Sequence, residues 1–282
     1  MVVKVLDLWW IRICVMLASV FVPTALLTFV VHGDDAGAVI QSSVYGLCVV
    51  VMIGIEVLRP YGSAVASGVV PTPISPRFVG LGVGWALASL IAIASVTYLL
   101  GGSVAATTVS VDVTSVSTVV LFAIGEEVLF RGTIFRALEE RFSSSFAVLA
   151  TSLPFALIHL LNPGASWMSA VNVFLAGLAL GTSVALTRSL WMAISFHVFW
   201  NLGLALMFGL VSGLDLPLSV FVLDVSSIPE QLRFIITGPF GVEDGLLTSV
   251  LLFASVVIMQ KMRVFDPVVQ AARFMQKHSV TR

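Results

Sequence analysis

The octapeptide GEEVLFRG, Gly125 to Gly132, places two adjacent carboxylates and an arginine directly after the apolar run 116–124. Glu127 and Arg131 stand four residues apart, so on a helix they share a face and form an acid-before-base ion pair. Glu126 lies about 100° round the same helix and has no cation one turn on. It is the carboxylate left to face a cavity. Two further pairs repeat the spacing of four: Phe155 with His159, and His197 with Asn201. A carboxylate in an apolar setting can take a proton from water near neutral pH. An imidazole and an amide one helical turn apart can both donate to a developing oxyanion. Glu126, His159 and His197 also offer the one carboxylate and two imidazoles that a catalytic zinc accepts. No H-E-x-x-H is present, and a glutamate-activated water needs no metal, so both chemistries stand at this stage.

The elements that must position these groups are membrane helices. Of 282 residues 59% are hydrophobic and only 10% charged, against about 25% charged in an ordinary soluble domain. Runs of about 17 to 25 apolar residues are what a bilayer core demands. Eight segments qualify: 9–31, 39–58, 78–100, 116–141, 146–161, 168–187, 190–211 and 246–260. The expected fold class is an all-α integral membrane protein, with about eight transmembrane helices in one bundle. Residues 1–282 read as a single polytopic membrane domain, with no internal repeat. The tail 262–282 has near-helical apolar spacing and reads as a cytoplasmic interfacial segment. Cys14 and Cys48 lie in apolar runs without a C-x-x-C pattern and receive no disulfide or metal role.

Orientation follows from the basic residues. With eight spans, Lys4, Arg12, Arg59, Arg77, Arg136, Arg141, Arg188, Lys261, Arg263, Arg273, Lys277 and Arg282 share one side, and the other loops hold only Arg233. The positive-inside rule puts both termini in the cytoplasm. A net charge of −1 gives no basis for nucleic-acid binding. Residues 59–77, rich in Pro, Gly and Ser, read as an irregular cytoplasmic loop. The long outer loop 213–245 carries apolar pieces that can dip into the membrane. Gly80 with Gly84 and Gly177 with Gly181 have the small-residue spacing that lets helices approach. Ionisable side chains inside spans are costly and mark functional sites. Here they fall on spans four, five and seven, while His32 and His278 sit in a loop and in the tail. At about 1.5 Å per residue a site reached from the cytoplasmic side suits His197 and Glu126; His159, about 20 Å from that end, fits worst.

EEVLFRG, FALIH and HVFWN, in order on successive helices, resemble the motifs E-E-x-x-x-R, F-x-x-x-H and H-x-x-x-N of the CPBP family, the CAAX proteases and bacteriocin-processing enzymes. The resemblance covers about 116–206. It implies an intramembrane endopeptidase acting on membrane-associated peptide or protein substrates in contact with membrane lipid, in a bacterial plasma membrane. It assigns Glu126 and His159 to water activation, His197 and Asn201 to the oxyanion, and Glu127 with Arg131 to a supporting pair. Metal dependence stays open, with one divalent ion such as zinc on Glu126, His159 and His197 as the alternative. A G-x-S-G serine site is absent, and no expected span holds an aspartate. A family member acting as an immunity or chaperone-like factor is a second reading. A proton-coupled transporter is a third, but paired broken helices and repeat symmetry are not evident.

Overall fold

In the computed structural model the described residues are 8–30, 44, 46, 47, 49–51, 54, 55, 75–216 and 218–264. They form a helical bundle. In chain order the helices are α1 (Trp9–Val30), α2 (Pro76–Leu99), α3 (Val113–Glu127), α4 (Phe135–Arg141), α5 (Ser144–His159), α6 (Trp167–Thr187), α7 (Trp191–Phe208), the short α8 (Glu230–Arg233) and α9 (Leu246–Val264). A π-helical segment, Val128–Ile134, joins α3 to α4 and makes them one 29-residue span, Val113–Arg141. Among the described residues five helical segments are long and apolar enough to cross a membrane, and α5 and α9 are shorter apolar helices. These seven match seven of the eight expected segments. The remaining one, 39–58, lies mostly outside the described residues, as do nearly all of the 59–77 loop, the tail from 265, Cys48, His32 and His278.

Local chemistry sets the helix ends. The Asp112 carboxylate accepts from Ser115 N at 2.8 Å and starts α3, and the Ser143 hydroxyl accepts from Phe146 N at 3.1 Å and starts α5. Ser166 and Ser169 form a reciprocal capping box at α6. Arg188 and Gly209 end α6 and α7 in left-handed conformations.

Helix α7 packs along α2, and α5 and α9 pack along α6. A Cβ built on Gly177 would come within 2.8 Å of Ser152 Cβ, so the small-residue pair of α6 does serve close approach to α5. The pair on α2 does not. Gly80 and Gly84 have open space around them, and Gly82 is the residue pressed against Ser195 and the Met192 carbonyl of α7. The contact face of α2 is therefore turned by two residues from the expected one. This is half a helical turn, the difference between facing a neighbour and facing away.

One end of the bundle gathers Arg12, Arg77, Arg136, Arg141 and Arg188. There Arg12 pairs with Glu140 at 2.6 Å, and Glu139 pairs with both Arg136 (2.8 Å) and Arg188 (2.7 Å). The opposite end carries small β structure. Strand β1 (Ser103–Ser110) runs antiparallel to β4 (Ser219–Asp224), with Ser103 opposite Asp224. Strands β2 (Leu210–Val211) and β3 (Leu214–Asp215) form a tight hairpin. The expected long loop 213–245 is thus largely folded, and a 3-10 turn at Val242–Asp244 leads into α9.

Candidate active site

Three motifs from three helices meet in the bundle interior. Glu127 and Arg131 are completely buried, and Arg131 Nη1 donates to Glu127 Oε1 at 3.0 Å, the ion pair expected from their spacing. The π-helical segment gives Arg131 its direction. Its wider turn, kinked at Gly132 (φ −78°, ψ −110°), carries the guanidinium over the Phe155 ring at 4.2 Å and toward the Gly177 carbonyl at 3.4 Å. Such bulges recur at functional sites. The seven-residue stretch VLFRGTI gives no periodicity signal for one, and the expected regular helix is here replaced.

Glu127 has a second partner that local spacing did not reveal. His197 Nδ1 lies 2.9 Å from the same Oε1 atom that pairs with Arg131. A carboxylate held by an arginine accepts, so Nδ1 carries the hydrogen and Nε2 faces the other way. That nitrogen lies 3.7 Å from Glu126 Oε2. Glu127 therefore does more than neutralise Arg131; it fixes the ring plane and the tautomer of His197. The two residues are seventy positions apart, and only the packing of α7 on α3 joins them.

His159, the last residue of α5, is oriented by its own helix. Its Nδ1 lies 2.7 Å from the Phe155 carbonyl oxygen, which only accepts, so the hydrogen sits on Nδ1 and Nε2 presents a lone pair. The Phe155 ring supports both histidines, 4.6 Å from His159 and 6.2 Å from His197 between centroids. The phenylalanine of the second motif is thus a shared platform.

Glu126, His159 and Asn201 line one cavity of about 190 Å³, with apolar walls from Val119, Phe122 and Ile158. His159 and His197 share a smaller adjoining space with Trp200 and Glu243. All four expected site residues therefore border one or the other of these two spaces, whose linings share His159 and Ser212. The larger cavity is bounded by Asn162, Val211, Ser212 and Leu214, residues of the connections opposite the arginine-rich end. A site reached from the arginine-rich side is not what the packing gives. Helix α5 starts just after Arg141 and runs its full length before reaching His159 at the far end. Asn162, Ser212 and Glu243 were not singled out from sequence; they follow helix ends or sit in connections, where spacing rules do not reach.

The zinc alternative asks for three convergent ligands. Glu126 and His197 approach one another, but among the described residues no three His, Cys, Asp or Glu side chains form a group able to hold a metal ion. The donor set does not fit a three-ligand centre in this arrangement.

Comparison with known proteins agrees with the motifs. Residues 108–203 match the family described as Type II CAAX prenyl endopeptidase Rce1-like. That segment runs from β1 into α7 and contains Glu126, Glu127, Arg131, His159, His197 and Asn201. No curated protein matches the chain.

Proposed function

We propose, from a core that matches the Type II CAAX prenyl endopeptidase Rce1-like family, that this chain is an intramembrane endopeptidase hydrolysing peptide bonds of membrane-associated substrates. The observation that carries the reading is the single Glu127 oxygen shared by Arg131 and His197, beside a cavity bordered by Glu126, His159 and Asn201. A structural clamp needs Glu127 and Arg131 alone. A hydrolytic site needs the rest.

In this reading a water held between Glu126 and His159 Nε2 loses its proton to Glu126 and attacks the scissile carbonyl carbon. The oxygen of that carbonyl takes up the negative charge and is met by N–H groups of His197 Nε2 and Asn201 Nδ2. Collapse breaks the C–N bond, and the proton on Glu126 passes to the leaving amine. For His197 to donate from Nε2 while Nδ1 donates to Glu127, the ring carries both protons. Glu126, Glu127, Arg131 and His197 then sum to zero charge, which is the state an apolar interior tolerates best. No step uses a metal.

Basic residues orient the bundle with the arginine-rich end in the cytoplasm, so the cavity opens toward the other half of the bilayer. Labelling of single cysteines in intact cells is expected to find Arg77 inside and Leu214 and Asp224 outside; the reverse pattern would turn the side of substrate entry around. The activity itself is tested with the purified protein in proteoliposomes and a library of quenched-fluorescent peptides, lipidated and unlipidated. Cleavage by the wild type and none by Glu126→Gln is the expected result. A wild type that cleaves no member would favour the non-proteolytic reading.

A further inference from the structure

The hairpin between α7 and β3 is unusual in its turn. Ser212 and Gly213 join β2 to β3 with φ of 48° and 77°. Positive φ at both central residues is the mark of a two-residue hairpin turn of the primed kind, which favours Asn-Gly, Asp-Gly or Gly-Gly. Glycine suits the second position, and a Cβ there would also run into the Pro163 carbonyl. Serine at the first position is the wrong residue for the conformation and has to be held in it.

The holder is Glu243. Its Oε2 accepts from the Ser212 backbone N–H at 2.6 Å and from the Ser212 hydroxyl at 3.1 Å, and its Oε1 faces the Trp200 indole N–H at 3.4 Å. Glu243 is itself fixed from behind. Asn172 on α6 donates to the Glu243 carbonyl (2.8 Å) and to the Gly245 carbonyl (3.0 Å), and Asp244 is bonded to the Ser166 hydroxyl at the α6 cap. On its other side the Ser212 carbonyl accepts from Asn162 Nδ2 at 3.0 Å. Ser212 borders both the cavity of Glu126 and the space shared by His159 and His197, and Asn162 borders the former.

We propose that Glu243 is a positioning residue for the proposed hydrolysis: through Ser212 and Asn162 it sets the wall against which the substrate lies beside Glu126 and His159. The inference rests on the endopeptidase reading of that site. Glu243 and Ser212 both lie beyond the segment matched to the family, so the wall is built by a part of the chain that the three motifs do not cover.

The test pairs a weakened holder with a turn that no longer needs one. Glu243→Gln offers a neutral acceptor in place of a charged one, and is expected to raise KM for the best-cleaved library peptide about tenfold, with kcat within about twofold, the pattern of lost substrate binding. Ser212→Gly takes up positive φ unaided. In the Glu243→Gln background it is expected to lower KM again by at least about threefold, which a general loss of stability would not do. Hydrogen exchange across 209–216 is measured on the same proteins and is expected to speed up in Glu243→Gln. An unchanged KM in folded Glu243→Gln, a KM rise that Ser212→Gly leaves in place, or unchanged exchange overturns the proposal. If the wild type cleaves no peptide, the endopeptidase reading falls with it, while the exchange comparison still decides whether Glu243 holds the turn.

Discussion

One membrane span carries two glutamate–arginine clusters, and they differ in what else their carboxylates touch. Near the arginine-rich end Arg136 pairs with Glu139, which also takes Arg188 and the Ser144 hydroxyl. Deeper in the bundle Glu127 pairs with Arg131 and takes His197. Both pairs have helical spacing, and both arginines are buried. Glu139 spends its bonds on tying α4 to the start of α5 and to the residue after α6, which is a fastening. Glu127 spends its second bond on an imidazole beside a cavity. An intramembrane ion pair alone does not mark a site; in the proposed reading the shared carboxylate that orients a histidine does.

The comparison breaks first under alanine. Glu127→Ala strands a buried arginine and is expected to cost ~3 to 5 kcal/mol of stability, with turnover lost in whatever folds. The double change Glu127→Ala with Arg131→Ala should hurt stability less than the sum of the two single changes. Glu139→Ala likewise strands a buried arginine, Arg136, and should cost ~3 kcal/mol, but should leave the turnover of the folded fraction unchanged. Thermal unfolding in detergent together with turnover per folded molecule separates these. Equal losses of turnover at both clusters would dissolve the distinction.

Asn201→Ala sharpens it. Removing one of the two proposed oxyanion donors is expected to raise the barrier by ~2.7 to 4 kcal/mol while leaving melting behaviour near that of the wild type. Residual cleavage should stay measurable. A large drop in stability instead would make Asn201 a packing residue.

Much of this could be read beforehand, and the reasons are specific. The Glu127 to Arg131 pair, the Phe155 to His159 pair and the seven described apolar segments follow from repeats of four and from apolar run length, which are local properties. The bond from Glu127 to His197 was not legible, because it depends on how α7 packs against α3. Glu243 falls within the long outer loop 213–245, where no spacing rule singles it out. Its use depends on a hairpin at Ser212 and Gly213, which follows directly on the apolar run 190–211 and leaves no signal in it. The β1 to β4 pairing joins two connections more than a hundred residues apart, beyond any local pattern. Gly82, rather than Gly80 and Gly84, meets α7 because the rotation of a helix about its axis is set by its neighbours.

The smallest expected effect lies at the start of the site-bearing span. The Ser115 backbone N–H and hydroxyl hold the exposed Asp112 carboxyl below its ordinary range. A lowered value in the folded state means that this contribution is complete above the ordinary carboxylate range and is lost as pH falls through the lowered value. Asp112→Asn should therefore remove a slight acid-side dependence of stability and leave cleavage at neutral pH unchanged. A changed neutral-pH rate would show that the start of α3 is coupled to Glu126.

The central claim is that Glu126 is the base and that its water needs no metal. It is tested by the cleavage rate of Glu126→Gln beside that of the wild type, each before and after exhaustive chelation and after zinc is added back. Glu126→Gln should fold as the wild type does and lose ~10²-fold or more of the rate, and chelation should leave the wild-type rate unchanged. Substantial cleavage by Glu126→Gln would place the base elsewhere, and a wild-type rate that collapses on chelation and returns with zinc would contradict the metal-free mechanism.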